Sequence, residues 1–177
     1  MTVYDQEKDA APVAGKAGTT EIAVPLDFPA ALADYHPRSE TEAAFLSLLA
    51  GEQWLDTDEA GLRLALQIAE GDADAAGQSI ETRSVKNLKL ANKVHTVTDF
   101  ALARSSFYDE TDPRSCPIYA VVEAADADGQ VFSYSIGSWK PLGQLYAKRK
   151  GGALPWKCLI AEIAVKSGNA AYSYVDA

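Results

Sequence analysis

Residues 117–138 read PIYAVVEAADADGQVFSYSIGS, and this stretch decides the fold. Two alternating runs, Ile118–Ala125 and Gln130–Ser138, flank Asp126-Ala127-Asp128-Gly129. The Asp-Gly pair supplies the positive-φ residue that a tight hairpin turn needs. Ile118, Ala120, Val122 and Ala124 share one face, and Tyr119, Val121, Glu123 and Ala125 the other. Toward the C-terminus, Pro141 in a first turn and Gly151-Gly152 just past the end bracket a helix over about Lys140–Lys150. Its basic last turn suits the negative end of the helix dipole. A second hairpin follows, Trp156–Lys166 and Ala170–Val175 around Ser167-Gly168-Asn169. Toward the N-terminus, Leu90–Ala103 reads as one long strand, with Val94, Val97, Phe100 and Leu102 among β-branched Thr96 and Thr98. A polar loop over Ser105–Pro117 separates it from the first hairpin.

The resulting order is β-β-β-α-β-β, the order of an OB-fold. The expected fold class is therefore mainly β: a five-stranded OB-fold-like barrel over residues 88–177, with a small helical segment in front. Residues 1–38 lack periodicity and carry Pro12, Pro25, Pro29 and Pro37, which predicts a disordered acidic arm. Residues 39–70 predict two short helices. Ser39 and Glu42 form a capping box for the first, whose apolar face is Ala44, Phe45, Leu48 and Leu49. The second runs near Asp58–Glu70. Trp54 between them is expected as a core anchor. Helices this short need tertiary packing, on the barrel or on a second subunit. Residues 71–87 read as a linker.

Bulk composition narrows the class. The 177 residues are 47% hydrophobic, enough for one ordinary core. No apolar run is long enough to span a bilayer, and the acidic start lacks a secretory signal, so the expected location is the cytoplasm of its cell or of a host. Cys116 and Cys158 predict two reduced, buried thiols, and two histidines leave little for metal or nucleophilic catalysis. The net charge of −9 is unevenly spread: residues 1–82 carry 16 acidic and 4 basic side chains, whereas residues 83–177 carry 9 and 12. A mildly basic barrel thus follows a strongly acidic N-terminal part.

Eleven of the 16 aromatic residues lie in that basic half. Aromatic faces stack bases for about 1–3 kcal/mol each, and cations track phosphates. The candidate nucleic-acid-binding residues are Arg104, Phe107, Tyr108, Tyr119, Tyr134, Trp139, Lys140, Lys148, Arg149, Lys150 and Trp156. The competing role for such aromatics is to fill the barrel, and for the basic turn it is to complement the dipole. Asp109, Glu110 and Asp112 offer a weak third possibility, a metal-dependent nuclease; a solvated loop is the plainer reading. No phosphate loop, nucleophile elbow or Rossmann glycine pattern is present, so no enzyme, cofactor or metal is expected.

Arg104-Ser105-Ser106-Phe107, the Asp-Gly hairpin, Ser135-Ile136-Gly137-Ser138, Gln144-Leu145 and Leu154-Pro155 resemble a group of phage-encoded single-stranded DNA-binding OB-fold proteins. The resemblance covers roughly residues 88–175 and implies binding of displaced DNA strands during replication or recombination. It departs from bacterial relatives of that function in lacking an acidic C-terminal tail; the acidity is at the front, where replication or recombination proteins would dock. The alternative is a protein-interaction or assembly module that grips its partner through the acidic helices and does not bind DNA. Self-association is left open, and no membrane partner is expected.

Overall fold

The computed structural model describes residues 28–55, 84–164 and 171–177. Most of the expected arm (1–27), the second helix and most of the linker (56–83), and the second hairpin turn lie outside the described residues. A 3-10 turn at Ala30–Leu32 leads to helix α1, Glu40–Leu49. Strand β1 is Trp54–Leu55, β2 is Val94–Arg104, β3 is Ile118–Ala125 and β4 is Val131–Ile136. Helix α2, Trp139–Lys150, precedes β5, Trp156–Ile163, and β6, Ala171–Asp176.

Local chemistry sets these boundaries. Ser39 Oγ accepts the Glu42 amide at 3.1 Å, one half of the expected capping box. The other half is diverted. The Glu42 carboxylate accepts instead from the Arg38 amide at 2.9 Å, the Arg38 side chain and the Tyr35 hydroxyl. The buried stripe of α1 is Ala43, Leu46 and Leu49, with Leu48 55% exposed, so the helix is turned relative to the expected face. Gly129 takes φ +82 in the hairpin turn, and Asp126 accepts the amides of Asp128 and Gln130 at 2.9 Å each.

The sheet order is β4-β3-β2-β5-β6. The long β2 is its centre. It pairs antiparallel with β3 over Thr96–Arg104 and with β5 over Val94–Val97. A bulge between Val97 and Asp99 bends it midway. Past the bend its second edge is covered by β1, which runs parallel to it opposite Leu102 and Ala103. Residues 28–55 are therefore not an appendage. Leu32, Leu46 and Leu49 join Phe100, Ile118, Tyr134 and Leu145 in one core, and Trp54 packs on its edge with Nε1 donating to the Leu49 carbonyl at 2.9 Å.

The expected closed barrel needs correction. Among the described residues no backbone pairing joins β4 to β6, and the sheet stays open there. Side chains bridge the gap instead. The Gln144 amide of α2 accepts the Tyr174 N–H and donates to the Tyr174 carbonyl, both at 2.9 Å, and so occupies groups that a closing strand would use. Inside the curl, the Tyr134 and Tyr174 hydroxyls meet at 2.8 Å. Tyr134 also lies 3.0 Å from His95 Nε2, while His95 Nδ1 lies 3.0 Å from the Lys93 carbonyl. A carbonyl only accepts, so Nδ1 carries the proton and Nε2 accepts from Tyr134, whose oxygen accepts from Tyr174. Burial raises both phenols above their ordinary range, so both keep their protons.

Burial also holds the His95 imidazole below its ordinary value, partly offset by its bond to Lys93. The unfolded chain therefore takes up the proton first as pH falls through about 6.5. Stability is full above that pH and declines below it. We expect the melting temperature to fall between about pH 7.5 and about pH 5.5, and His95→Gln to flatten that fall. Tyr134→Phe strips the donor from His95 and the acceptor from Tyr174; chemical denaturation is expected to show a loss of about 1–3 kcal/mol.

Candidate functional site

Most of the cations and rings expected to bind nucleic acid are engaged within the fold. Tyr134 is 1% exposed and Trp156 6%, so neither offers a face to a base. Trp156 Nε1 donates to Asp176 at 2.6 Å, and Lys148 donates to the same carboxylate at 2.7 Å with its Nζ 4.3 Å from the indole centroid. These bonds, Lys148 first, pull the Asp176 carboxyl below its usual range. Arg149 pairs with Glu52 and Asp99, donates to the Phe100 carbonyl and lies 3.6 Å above the Phe100 ring. It thereby ties the end of α2 to β2 and to the turn after α1. Arg104 grips Asp34 through both terminal nitrogens, a hydrogen-bonded pairing that lowers the Asp34 pKa. Trp139 is the first residue of α2 and packs edge-on against Phe45 of α1, with 5.9 Å between centroids. Lys150 lies over Tyr146 at 5.5 Å. Lys140 is exposed on the first turn of α2. Tyr119 is half-buried against Leu55, Ala101, Ala103 and Val121.

Both cysteines are buried, and burial pushes each thiol up to about 12. They are protonated and unreactive at neutral pH. The acidic loop is likewise used internally. Asp109 accepts from the Thr111 amide at 2.8 Å and hydroxyl at 2.6 Å, and Asp112 accepts from the Arg114 amide at 2.9 Å and its guanidinium.

Phe107 remains. It is 72% exposed and lines a groove of about 1060 Å³. The groove lies among residues 84–91, the loop after β2, the end of β4 at Ser135–Ser138, and Glu162, Ala171 and Tyr172 of the last two strands. Its lining brings together three cations, Lys86, Lys89 and Arg114, with the rings of Phe107 and Tyr172. Three carboxylates, Asp109, Asp112 and Glu162, share it, and Arg114 is bonded to Asp112. Among the described residues, Lys86 and Lys89 have no ion-pair partner, and both are exposed. Gly137 lets the lining close over Tyr119: a Cβ there would stand 3.3 Å from the Tyr119 Cβ.

The loop that carries Phe107 is clamped from the N-terminal segment. Arg38 donates to the carbonyls of Asp112 at 3.0 Å and Ser115 at 2.7 Å. Tyr108, expected as a base platform, packs edge-on against Tyr35 at 5.3 Å with Arg38 5.7 Å from its ring. The candidate set from the sequence left out Lys86, Lys89 and Tyr172, although Lys89 stands among the cations interleaved with the aromatics and Tyr172 was expected to fill the barrel. Lys86 fell in the expected linker, but Ser84 bridges to Ser135 of β4 and folds the end of that segment onto the sheet. The available signal was the apolar pair Val85 and Leu90, which bracket the two lysines and are both buried.

Comparison with family models, curated proteins and solved structures finds no match to this chain.

Arg38→Ala removes a charged donor from two loop carbonyls, a loss of about 2–3 kcal/mol. We expect faster amide exchange across residues 107–116 with exchange in β3 little changed, read by hydrogen–deuterium exchange.

Proposed function

We propose that this chain binds single-stranded nucleic acid in the groove beside Phe107, without enzymatic activity. The observation that carries the reading is an exposed phenylalanine beside Lys86 and Lys89, two exposed cations without ion-pair partners among the described residues, in one groove. Unpaired bases stack on aromatic faces, whereas a duplex hides them; lysines take the phosphates.

The strand order supports a finer reading, a partly open OB-fold formed by β2 to β6. Spatially these strands run third, second, first, fourth, fifth, with the helix between the third and fourth. In OB-folds the loops between strands one and two and between four and five flank the oligonucleotide. The corresponding loop after β2 carries Phe107, and Glu162 and Tyr172 stand on the strands on either side of the other. In this reading the partner is a displaced DNA strand, as replication and recombination produce.

A protein-interaction role has one observation in its favour: the groove balances its three cations with three carboxylates, so long-range attraction for DNA is weak. Against it, among the described residues of the acidic N-terminal part, Asp34, Glu42 and Glu52 are held in internal pairs.

Fluorescence anisotropy with a labelled oligo-dT of about 20 nucleotides tests the proposal. Binding is expected at about 50 mM salt and weaker at about 200 mM, because bound phosphates release counterions. Phe107→Ala should cost about 1–3 kcal/mol of affinity and leave the melting temperature unchanged. No binding at the lower salt would overturn the proposal, and cleavage of the oligonucleotide with magnesium would overturn its non-enzymatic part.

A further inference from the structure

We infer that Lys89 is a phosphate-contacting residue of this groove, kept as lysine at a backbone position that favours glycine because its charge is used there; the inference rests on the reading just given. Residues 84–90 form a single helical turn ended by a Schellman motif. The Leu90 amide reaches back to the Val85 carbonyl at 3.0 Å, and the Lys89 amide to the Lys86 carbonyl at 3.1 Å. Val85 and Leu90 supply the apolar contact that accompanies such a turn, both buried in the core. The motif requires left-handed backbone at the residue before Leu90, and Lys89 has φ +53.

The chain itself provides the comparison. Helix α2 ends in the same motif: the Ala153 amide bonds the Lys148 carbonyl at 2.9 Å and the Gly152 amide the Arg149 carbonyl at 3.0 Å. There the left-handed residue is Gly152, φ +64. Three residues beyond Lys89, Asn92 is also left-handed, φ +61, and asparagine is among the few side chains that tolerate it. A lysine is disfavoured in this conformation by the clash of its Cβ with the backbone. The turn makes no internal use of the ammonium group: Lys89 is exposed, has no ion-pair partner among the described residues, and lines the groove with Lys86 and Phe107. Fixed backbone on both sides, from the buried Val85 and Leu90, holds its Cα in register with the groove. A strand backbone laid along residues 86–89 places its phosphates near two cations and its bases toward the rings of Phe107 and Tyr172.

Three variants of the full chain test this against wild type with the same oligo-dT: Lys89→Gly, Lys89→Asn and Lys89→Arg, with Lys157→Ala on the exposed face of β5 as a charge-matched control. Glycine and asparagine are expected to weaken binding about five- to tenfold at low salt and to reduce the slope of log K against log salt by about 0.7, the value for one phosphate on a single strand. Arginine is expected to restore both, and Lys157→Ala to change neither. Lys89→Gly should melt at or above the wild-type temperature. Wild-type-like affinity and slope in Lys89→Gly, or an arginine variant as weak as the glycine one, would overturn the inference while leaving the groove proposal in place. A wild type that does not bind removes the groove proposal, and this inference with it.

Discussion

A row of buried hydrogen bonds running from the Lys93 carbonyl through His95 and Tyr134 to Tyr174 holds the two edges of this sheet together. His95, Tyr134 and Tyr174 are all in the interior, where an unmade bond costs far more than a made one contributes. The row therefore constrains geometry more than it adds stability. Tyr134 sits on β4, Tyr174 on β6 and His95 on the central β2, so the sheet must curl until all three meet. Gln144 then completes the curl from outside by bonding the backbone of Tyr174 as a neighbouring strand would. An exposed strand edge is an invitation to pair with other chains, and a side-chain amide placed on it removes that invitation at one residue.

The same curl decides which charges remain for a ligand. It draws the end of α2 across β2, where Arg149 finds Glu52, Asp99 and the Phe100 ring, and draws Lys148 onto Asp176 and Trp156. The N-terminal segment does likewise with Arg38 and Arg104, which fix the loop after β2 and the start of the chain's described part. Of the cations singled out in the sequence, Arg104, Lys148 and Arg149 are thus bound by the fold itself, while Lys140 stays exposed. Lys86 and Lys89 lie on a short turn that packs through Val85 and Leu90 and the Ser84 bridge to Ser135, and both line the groove. The fold and the proposed site are linked in this way: Arg38, Arg104, Lys148 and Arg149 tie elements together, whereas Lys86 and Lys89 line the groove without an ion-pair partner among the described residues.

What was legible in advance follows from how local the chemistry is. The Asp126–Gly129 turn, Pro141 in the first turn of α2 and Gly152 past its end act within a few residues, and each marked its element in the linear pattern. The alternation of Ile118, Ala120, Val122 and Ala124 placed β3 and its buried face correctly. The open edge was not legible, because where strand pairing was expected Tyr134 and Tyr174 meet across 40 residues and a helix side chain stands in for a strand. Tyr134 and Trp156 read as surface platforms because an aromatic beside a basic cluster looks the same whether it faces water or the core. The turn that places Lys86 and Lys89 was hidden for the opposite reason: its expected mark is a glycine at residue 89, and a lysine stands there.

Binding in the groove is tested most directly by the pattern of amide protection when saturating oligo-dT is added to the full chain, followed by hydrogen–deuterium exchange. Added protection is expected in residues 84–91 and 105–115, and none on the outward face of β5 or in the last turn of α2. Protection centred on Lys148–Lys150, or no protection anywhere at a concentration that saturates binding, would contradict it.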